Sequence, residues 1–299
     1  MAHNHDHHTH SPESFNLAFA LAVGLNLGFT VIEAVYAIMA NSMSLLADAG
    51  HNLGDVLGLV LAWGANWLLT KPSSERYSYG FKRTSILAAI ANALFLVAAC
   101  AIITYESIAK LLNPQPVHEM TVIIVAAIGI VINLGTALLF IRGSKDDLNI
   151  KGAFLHLASD ALVSVGVVIA GVIIIASGWL WVDPLAGLLI VVTILLGSWG
   201  LLRDSVNLIL DAVPHDVDHK AVKTYLAQLP GVTAVHDLHI WGLSTKETAL
   251  TAHLVIPDAQ TDDNFLQTIC HDLKRNFKIN HPTIQIENGG DCHTQTCTD

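Results

Sequence analysis

From Phe15 to Leu210 the chain alternates long apolar runs with short polar breaks, and the runs fall at 15–39, 44–69, 84–111, 118–141, 149–176 and 183–207. Each is near the ~20 residues a helix needs to cross a hydrocarbon core, so six membrane-spanning helices are predicted. The breaks are Asn41-Ser42, the polar segment 70–83, Asn113-Pro114-Gln115-Pro116, the segment 143–147 and Ser177-Gly178. The pattern changes after Leu210. Residues 215–228 read as an amphipathic helix, 232–241 and 249–256 as strands, 262–277 as a second helix and 283–286 as a last strand. That order, α-β-β-α-β, predicts a ferredoxin-like α+β fold. The expected organisation is a His-rich tail over 1–14, a six-helix transmembrane domain over 15–210, the α+β domain over 211–288 and a Cys-containing tail over 289–299.

Basic residues orient the spans. Lys71, Arg76, Lys82 and Arg83 follow the second run and Arg142, Lys145 and Lys151 the fourth, whereas the breaks after the first and fifth carry none and that after the third only Lys110. Positively charged short loops stay in the cytoplasm, so the even loops and both termini are expected there. A composition of 53% hydrophobic and 13% charged residues agrees with a membrane class. The formal net charge of -10 argues against a nucleic-acid partner and suits cations. Four cysteines, Cys100, Cys270, Cys292 and Cys297, are too scattered for a disulfide framework. The N-terminus lacks the basic region and short apolar core of a cleavable signal.

The chemistry lies in two spans. The second contains His51-Asn-Leu-Gly-Asp55 and the fifth His156-Leu-Ala-Ser-Asp160. Residues four apart share a helical face, so two facing helices would offer two imidazoles and two carboxylates, a complete tetrahedral set for Zn²⁺. A bare Asp at the centre of a spanning helix costs ~3 kcal/mol, and a dication offsets that cost. The simpler alternatives are that each His bonds its own i+4 Asp, or that the groups form a proton wire; neither explains why the same spacing occurs twice. Small residues flank both motifs (Ala47, Ala49, Gly50 and Gly54; Ala153, Ala158, Ser159 and Ala161) and permit close helix approach. Leu53, Val56, Leu155 and Leu157 adjoin the ligands as gates or as ordinary packing. Asp48 is either a further acceptor or a feature of the helix entrance. Glu33, Asn26, Asn92, Glu106 and Asn133 either line a water path or bond between helices.

The runs Ser44-Leu-Leu-Ala-Asp-Ala-Gly-His51-Asn-Leu-Gly-Asp55, Tyr79-Gly-Phe-Lys-Arg83, Leu155-His156-Leu-Ala-Ser-Asp160 and Val235-His236-Asp-Leu-His-Ile-Trp241 resemble the cation diffusion facilitator family, in its zinc-transporting branch. The resemblance covers nearly the whole chain. It implies a homodimer of six-helix subunits in the bacterial inner membrane, alternating access, and metal export coupled to inward proton movement. It also implies regulatory zinc in the soluble domain, held by His236, His253 and Glu287 with tail residues Cys292 and Cys297, and an Arg83–Asp211 salt bridge that helps hold subunits together. Two departures stand out: segment 70–83 lacks the Asp and His cluster of some relatives, and the loop between spans four and five is short. The His-rich element sits instead at the N-terminus, where His3, His5, His7, His8 and His10 surround Asp6; this is either a metal scavenger or a solvated tail.

His281, just before the expected last strand, is a further soluble-domain candidate. Metal binding requires deprotonated ligands, so zinc and protons compete for one site, and imidazole, with a pKa near ~6.5, trades one for the other at physiological pH. The expected function is therefore Zn²⁺/H⁺ exchange, not catalysis, because a catalytic zinc keeps a position for water. The rivals are a carrier whose main substrate is Cd²⁺ or Co²⁺ and a membrane-tethered zinc sensor.

Overall fold

A computed structural model describes residues 13–140, 148–257 and 263–288 of the chain. Six long helices come first: α1 (Glu13–Met39), α2 (Met43–Leu69), α3 (Thr84–Leu112), α4 (Glu119–Phe140), α5 (Leu148–Ser177) and α6 (Val182–Ile209). Then follow α7 (His219–Ala227), β1 (Ala234–Gly242), β2 (Thr248–Val255), α8 (Asp263–Phe277) and β3 (Ile279–Glu287). Helices α2 to α6 are long and apolar enough to cross a membrane, and α1 contributes a shorter apolar stretch, Gly24–Met39. The expected helical membrane domain followed by an α-β-β-α-β domain is thus the observed fold class. The tail histidines His3, His5, His7, His8 and His10, and Cys292 and Cys297, lie outside the described residues.

Two compact units divide the described chain, one running to Leu59 and over Phe95–Ser198, the other over Val60–Leu94 and from Trp199 onward. In the first, α4 packs along α5 and α1 against α4. All six helices feed one apolar core, which includes Phe29, Leu45, Leu96, Val125, Val167 and Ile190. Gly54 brings α2 and α3 together: a Cβ there would lie 2.2 Å from Cδ2 of Leu96. A larger residue at 54 would force the buried Leu96 side chain to move, so α2 and α3 approach closely where glycine stands.

The N-terminus of α2 is held firmly. Ser42 hydroxyl accepts from Leu45 N–H at 3.2 Å, as a helix-capping side chain does. Asp183, at the start of α6, accepts from the Ser42 hydroxyl (2.6 Å), Met43 N–H (2.6 Å), Ser44 N–H (3.2 Å) and the Ser44 hydroxyl (2.6 Å). A carboxylate suits this place because the first N–H groups of a helix lack internal partners and carry partial positive charge.

In the second unit α7 and α8 cover a three-stranded sheet of order β1-β2-β3. β1 pairs antiparallel with β2, and β2 parallel with β3. Leu226, Leu250, Leu254, Ile269, Leu273 and Ile279 form its core and are fully buried. The first soluble helix starts later than expected because Asp218 caps it, accepting from Lys220 N–H and Ala221 N–H at 2.9 and 3.1 Å. The last strand begins earlier than the expected 283, and runs through Pro282. The carbonyl of Glu287 accepts from Ile256 N–H at 2.8 Å, so by the two-residue repeat Pro282 points its nitrogen away from β2. An imino nitrogen on a sheet edge breaks no ladder bond.

Contacts inside this unit also tie the α2–α3 segment to the soluble domain. Lys82 pairs with Glu247, the Ser85 hydroxyl accepts from Thr245 N–H at 3.2 Å, and Arg83 pairs with Asp211 at 2.7 Å. That segment and the soluble domain therefore lie on one side. Leu250→Ala is expected to destabilise the soluble domain by about 2–5 kcal/mol, seen as faster protease cleavage within residues 211–288 while the membrane helices stay protected.

Candidate metal centre

The two His-x-x-x-Asp motifs face each other across α2 and α5. His51 Nε2 lies 3.6 Å from Asp55 Oδ2 on its own helix and 3.3 Å from Asp160 Oδ1 on the other. His156 Nε2 lies 3.3 Å from Asp55 Oδ2 and 3.8 Å from Asp160 Oδ2. The two rings meet edge to face with centroids 6.1 Å apart. With metal–ligand bonds of ~2.0–2.1 Å, neighbouring ligands of a tetrahedral zinc stand ~3.3 Å apart, close to all four of these spacings.

The hydrogen-bond pattern points the same way. Asp55 Oδ2, Asp160 Oδ1 and His51 Nδ1 are buried without a hydrogen-bond partner among the described residues, although imidazole nitrogens stand near both carboxylate oxygens. Buried oxygens left as bare acceptors are destabilising unless a cation completes them. His51, Asp55 and Asp160 form the tightest group, with ligand atoms all within 4.8 Å, and His156 stands outside that group. Side-chain exposure rises from Asp160 (5%) through His51 (22%) and Asp55 (32%) to His156 (49%). Asp55 lies C-terminal to His51 on α2 and His156 lies N-terminal to Asp160 on α5, so exposure rises in the C-terminal direction of α2 and the N-terminal direction of α5. Leu155, the candidate gate, is exposed.

Asp48 is not in this group. Its Oδ2 accepts from the Ser164 hydroxyl at 2.7 Å, one turn along α5 from Asp160. Glu33, fully buried on α1, accepts from Asn52 at 3.0 Å. Periodicity gave no hint of these pairs or of the Asp183 clamp; only the Asp-Pro step at the start of the sixth apolar run marks Asp183 as a helix-entry residue.

A second group lies in the soluble domain. His236 on β1 is registered directly against His253 on β2, and their rings meet at 5.1 Å. Glu287 at the end of β3 bridges them, with Oε2 3.0 Å from His236 Nε2 and Oε1 2.9 Å from His253 Nδ1. Burial by itself would raise the Glu287 carboxyl, but the His236 and His253 imidazoles outweigh that and hold it below the usual carboxylate range. Asp237 joins from an unexpected direction. Strand alternation would turn it away from His236, but β1 bulges between His236 and His239, Asp237 takes the left-handed conformation (φ 51°), and its carboxylate reaches His239 at 2.9 Å and His253 at 3.5 Å. His281 does not join this group. It lies inside β3 opposite Ala249, six residues before Glu287, and its ring packs on Tyr79 at 5.5 Å. Arg83 and Asp211 meet within a single chain, at 2.7 Å.

Comparison with known proteins agrees with this architecture. The family described as the cation efflux transmembrane domain matches residues 19–210, and the cation efflux protein cytoplasmic domain matches 214–289. The chain belongs to the cation efflux, or cation diffusion facilitator, family. Among curated cation efflux proteins it is 36% identical over 301 residues to the zinc transporter ZitB of Escherichia coli, covering 98% of this chain and 96% of that one. It is 34% identical over 285 residues to the cadmium, cobalt and zinc/H(+)-K(+) antiporter of Bacillus subtilis, covering 94% and 91%. A solved structure, the metal-bound C-terminal domain of the CzcD transporter from Cuprividus metallidurans, is 37% identical and matches 24% of this chain and 99% of its own, at a TM-score of 0.22.

In this cation efflux protein, Asp183→Ala would leave two buried hydroxyls and two helix N–H groups without their acceptor, at about 1–3 kcal/mol for each group that stays unpaired. The expected result is a thermal midpoint in detergent well below that of Ser42→Ala, whose loss of a capping hydroxyl costs about 1 kcal/mol.

Proposed function

We propose that the protein exports Zn²⁺ from the cytoplasm across the bacterial inner membrane in exchange for protons, carrying the ion at His51, Asp55, His156 and Asp160. The observation that carries this reading is the convergence of two imidazoles and two carboxylates, at distances near those of a zinc shell, with two buried carboxylate oxygens that make no hydrogen bond and face imidazole nitrogens at 3.3 Å. The names of the relatives support it, since one is a zinc transporter and another a cadmium, cobalt and zinc antiporter. Two nitrogens with two carboxylates favour Zn²⁺ over Mn²⁺ but accept Cd²⁺ and Co²⁺.

In this reading both termini are cytoplasmic, and the rise in exposure toward His156 describes a state open to the cytoplasm. Zinc enters there and displaces protons; protons arriving from the other side in the outward-open state release it. Domain boundaries near residues 14, 210 and 288 separate tail, carrier, soluble domain and C-terminal tail. The soluble domain pairs with that of a second copy, and His236, His253 and Glu287, with Asp237 beside them, hold regulatory zinc helped by Cys292 and Cys297.

The test is uptake of radioactive zinc into proteoliposomes under an imposed pH gradient. Wild type is expected to accumulate zinc and to stop when the gradient is collapsed. Asp160→Ala should reduce uptake to the protein-free background while zinc binding by the soluble domain persists. Uptake that survives this substitution would remove these four residues as the carrier site, and a wild type that takes up no zinc above the protein-free background would leave the chain as a membrane-tethered zinc sensor.

A further inference from the structure

Two buried acids lie beside the four-residue site without belonging to it. Glu33 on α1 and Asp48 on α2 are each 0% exposed. Each has one satisfied oxygen, since Asn52 donates to Glu33 Oε2 and the Ser164 hydroxyl to Asp48 Oδ2. Each also has one oxygen, Glu33 Oε1 and Asp48 Oδ1, buried with no partner among the described residues. Asn52, which donates to Glu33, follows Asp48 by four residues on α2 and shares its helical face, so the two carboxyl groups lie at neighbouring turns of one face of α2 and each bears on the other's charge. Two ionised carboxylates cannot satisfy those oxygens, because both are acceptors only. Side by side in an apolar bundle they would also repel. One proton resolves both problems: the O–H of one acid donates to the other, and the pair carries a single negative charge.

The position of the pair gives this proton a role. Asp48 precedes His51 by three residues on α2, and its partner Ser164 follows Asp160 by four on α5. These steps of three and four residues rise about 4.5 and 6 Å, roughly one helical turn each, toward the end of the bundle that carries the α1–α2 and α5–α6 connections. Exposure of the four ligands rises toward the opposite end, so the pair lies at the deep end of the metal site. Among the described residues, the other titratable groups whose charge bears on it are His51 on α2 and Asp160 on α5.

We propose that Glu33 and Asp48 share one proton and release it to solvent when a dication occupies the site of His51, Asp55, His156 and Asp160, so that the pair is a proton-binding element of the exchange. This rests on the metal-site reading above. A dication about one turn away repels the shared proton, and the second negative charge uncovered by its loss stabilises the bound metal. Departure of the metal reverses the balance, and the proton returns.

Calorimetric titration of zinc into the purified full chain, in two buffers of different ionisation enthalpy, counts the protons released per zinc. The same titration of Asp55→Ala supplies the contribution of the other sites, to be subtracted. Glu33→Gln keeps a donor toward Asp48 and an acceptor for Asn52 but has no proton to lose. Its expected behaviour is continued zinc binding with about one fewer proton released per zinc. An unchanged proton count in Glu33→Gln overturns the proposal, as does a missing charge made up by bound Na⁺ or K⁺. Infrared difference spectra of wild type do not depend on any variant folding: zinc should bleach a protonated-carboxyl carbonyl band, and a spectrum without that loss also overturns it. If Asp55→Ala binds zinc as wild type does, the metal-site reading falls and this inference with it. An unchanged count in Glu33→Gln beside an Asp55→Ala that has lost its zinc removes the pair alone.

Discussion

A carboxylate buried in an apolar helix bundle must be met by donors, by a proton or by a cation, and the buried acids of this chain show different ways of meeting that demand. Asp183 is met by donors alone, two hydroxyls and two helix N–H groups at the start of α2. Asp48 and Glu33 each have one donor and one bare oxygen. Asp160 sets its two oxygens 3.3 and 3.8 Å from the imidazoles of His51 and His156, and Oδ1 makes no hydrogen bond. The series runs from a satisfied structural group to groups that need something mobile to complete them, and α2 takes part in every case.

That helix is accordingly the element on which position matters most. Its N-terminus is fixed by Asp183, its middle approaches α3 through Gly54, and His51 and Asp55 lie on the turns between and beside these restraints. A shift along its axis would move Asp48, His51 and Asp55 together, relative to Glu33 on α1 and to His156 and Asp160 on α5. In the proposed exchange, that one segment carries a member of the acidic pair and half of the metal ligands, so proton and metal would be coupled through it without sharing every ligand.

The doubled His-x-x-x-Asp spacing made the centre legible because helical periodicity relates residues four apart within each helix, and cost argues that two such faces in a bilayer turn inward. Six apolar runs and the α-β-β-α-β order were legible for the same reason, as periodic signals over many residues. Pairings between elements were not. Asp48 with Ser164 and Asp183 with Ser42 join residues more than a hundred positions apart, and no local pattern encodes them. Asp237 eluded the strand alternation because a bulge reverses its direction. His281 read as a site candidate through its neighbourhood in sequence, yet the length of β3 separates it from Glu287.

The outward-facing nitrogen of Pro282 has a consequence for assembly. A strand laid against the outer side of β3 would find an imino nitrogen where an amide donor is needed, so the sheet resists growth at that margin. The soluble domain is thereby steered away from runaway fibre formation at this margin, and any pairing made there has to use side-chain surfaces instead of continuous backbone zippering.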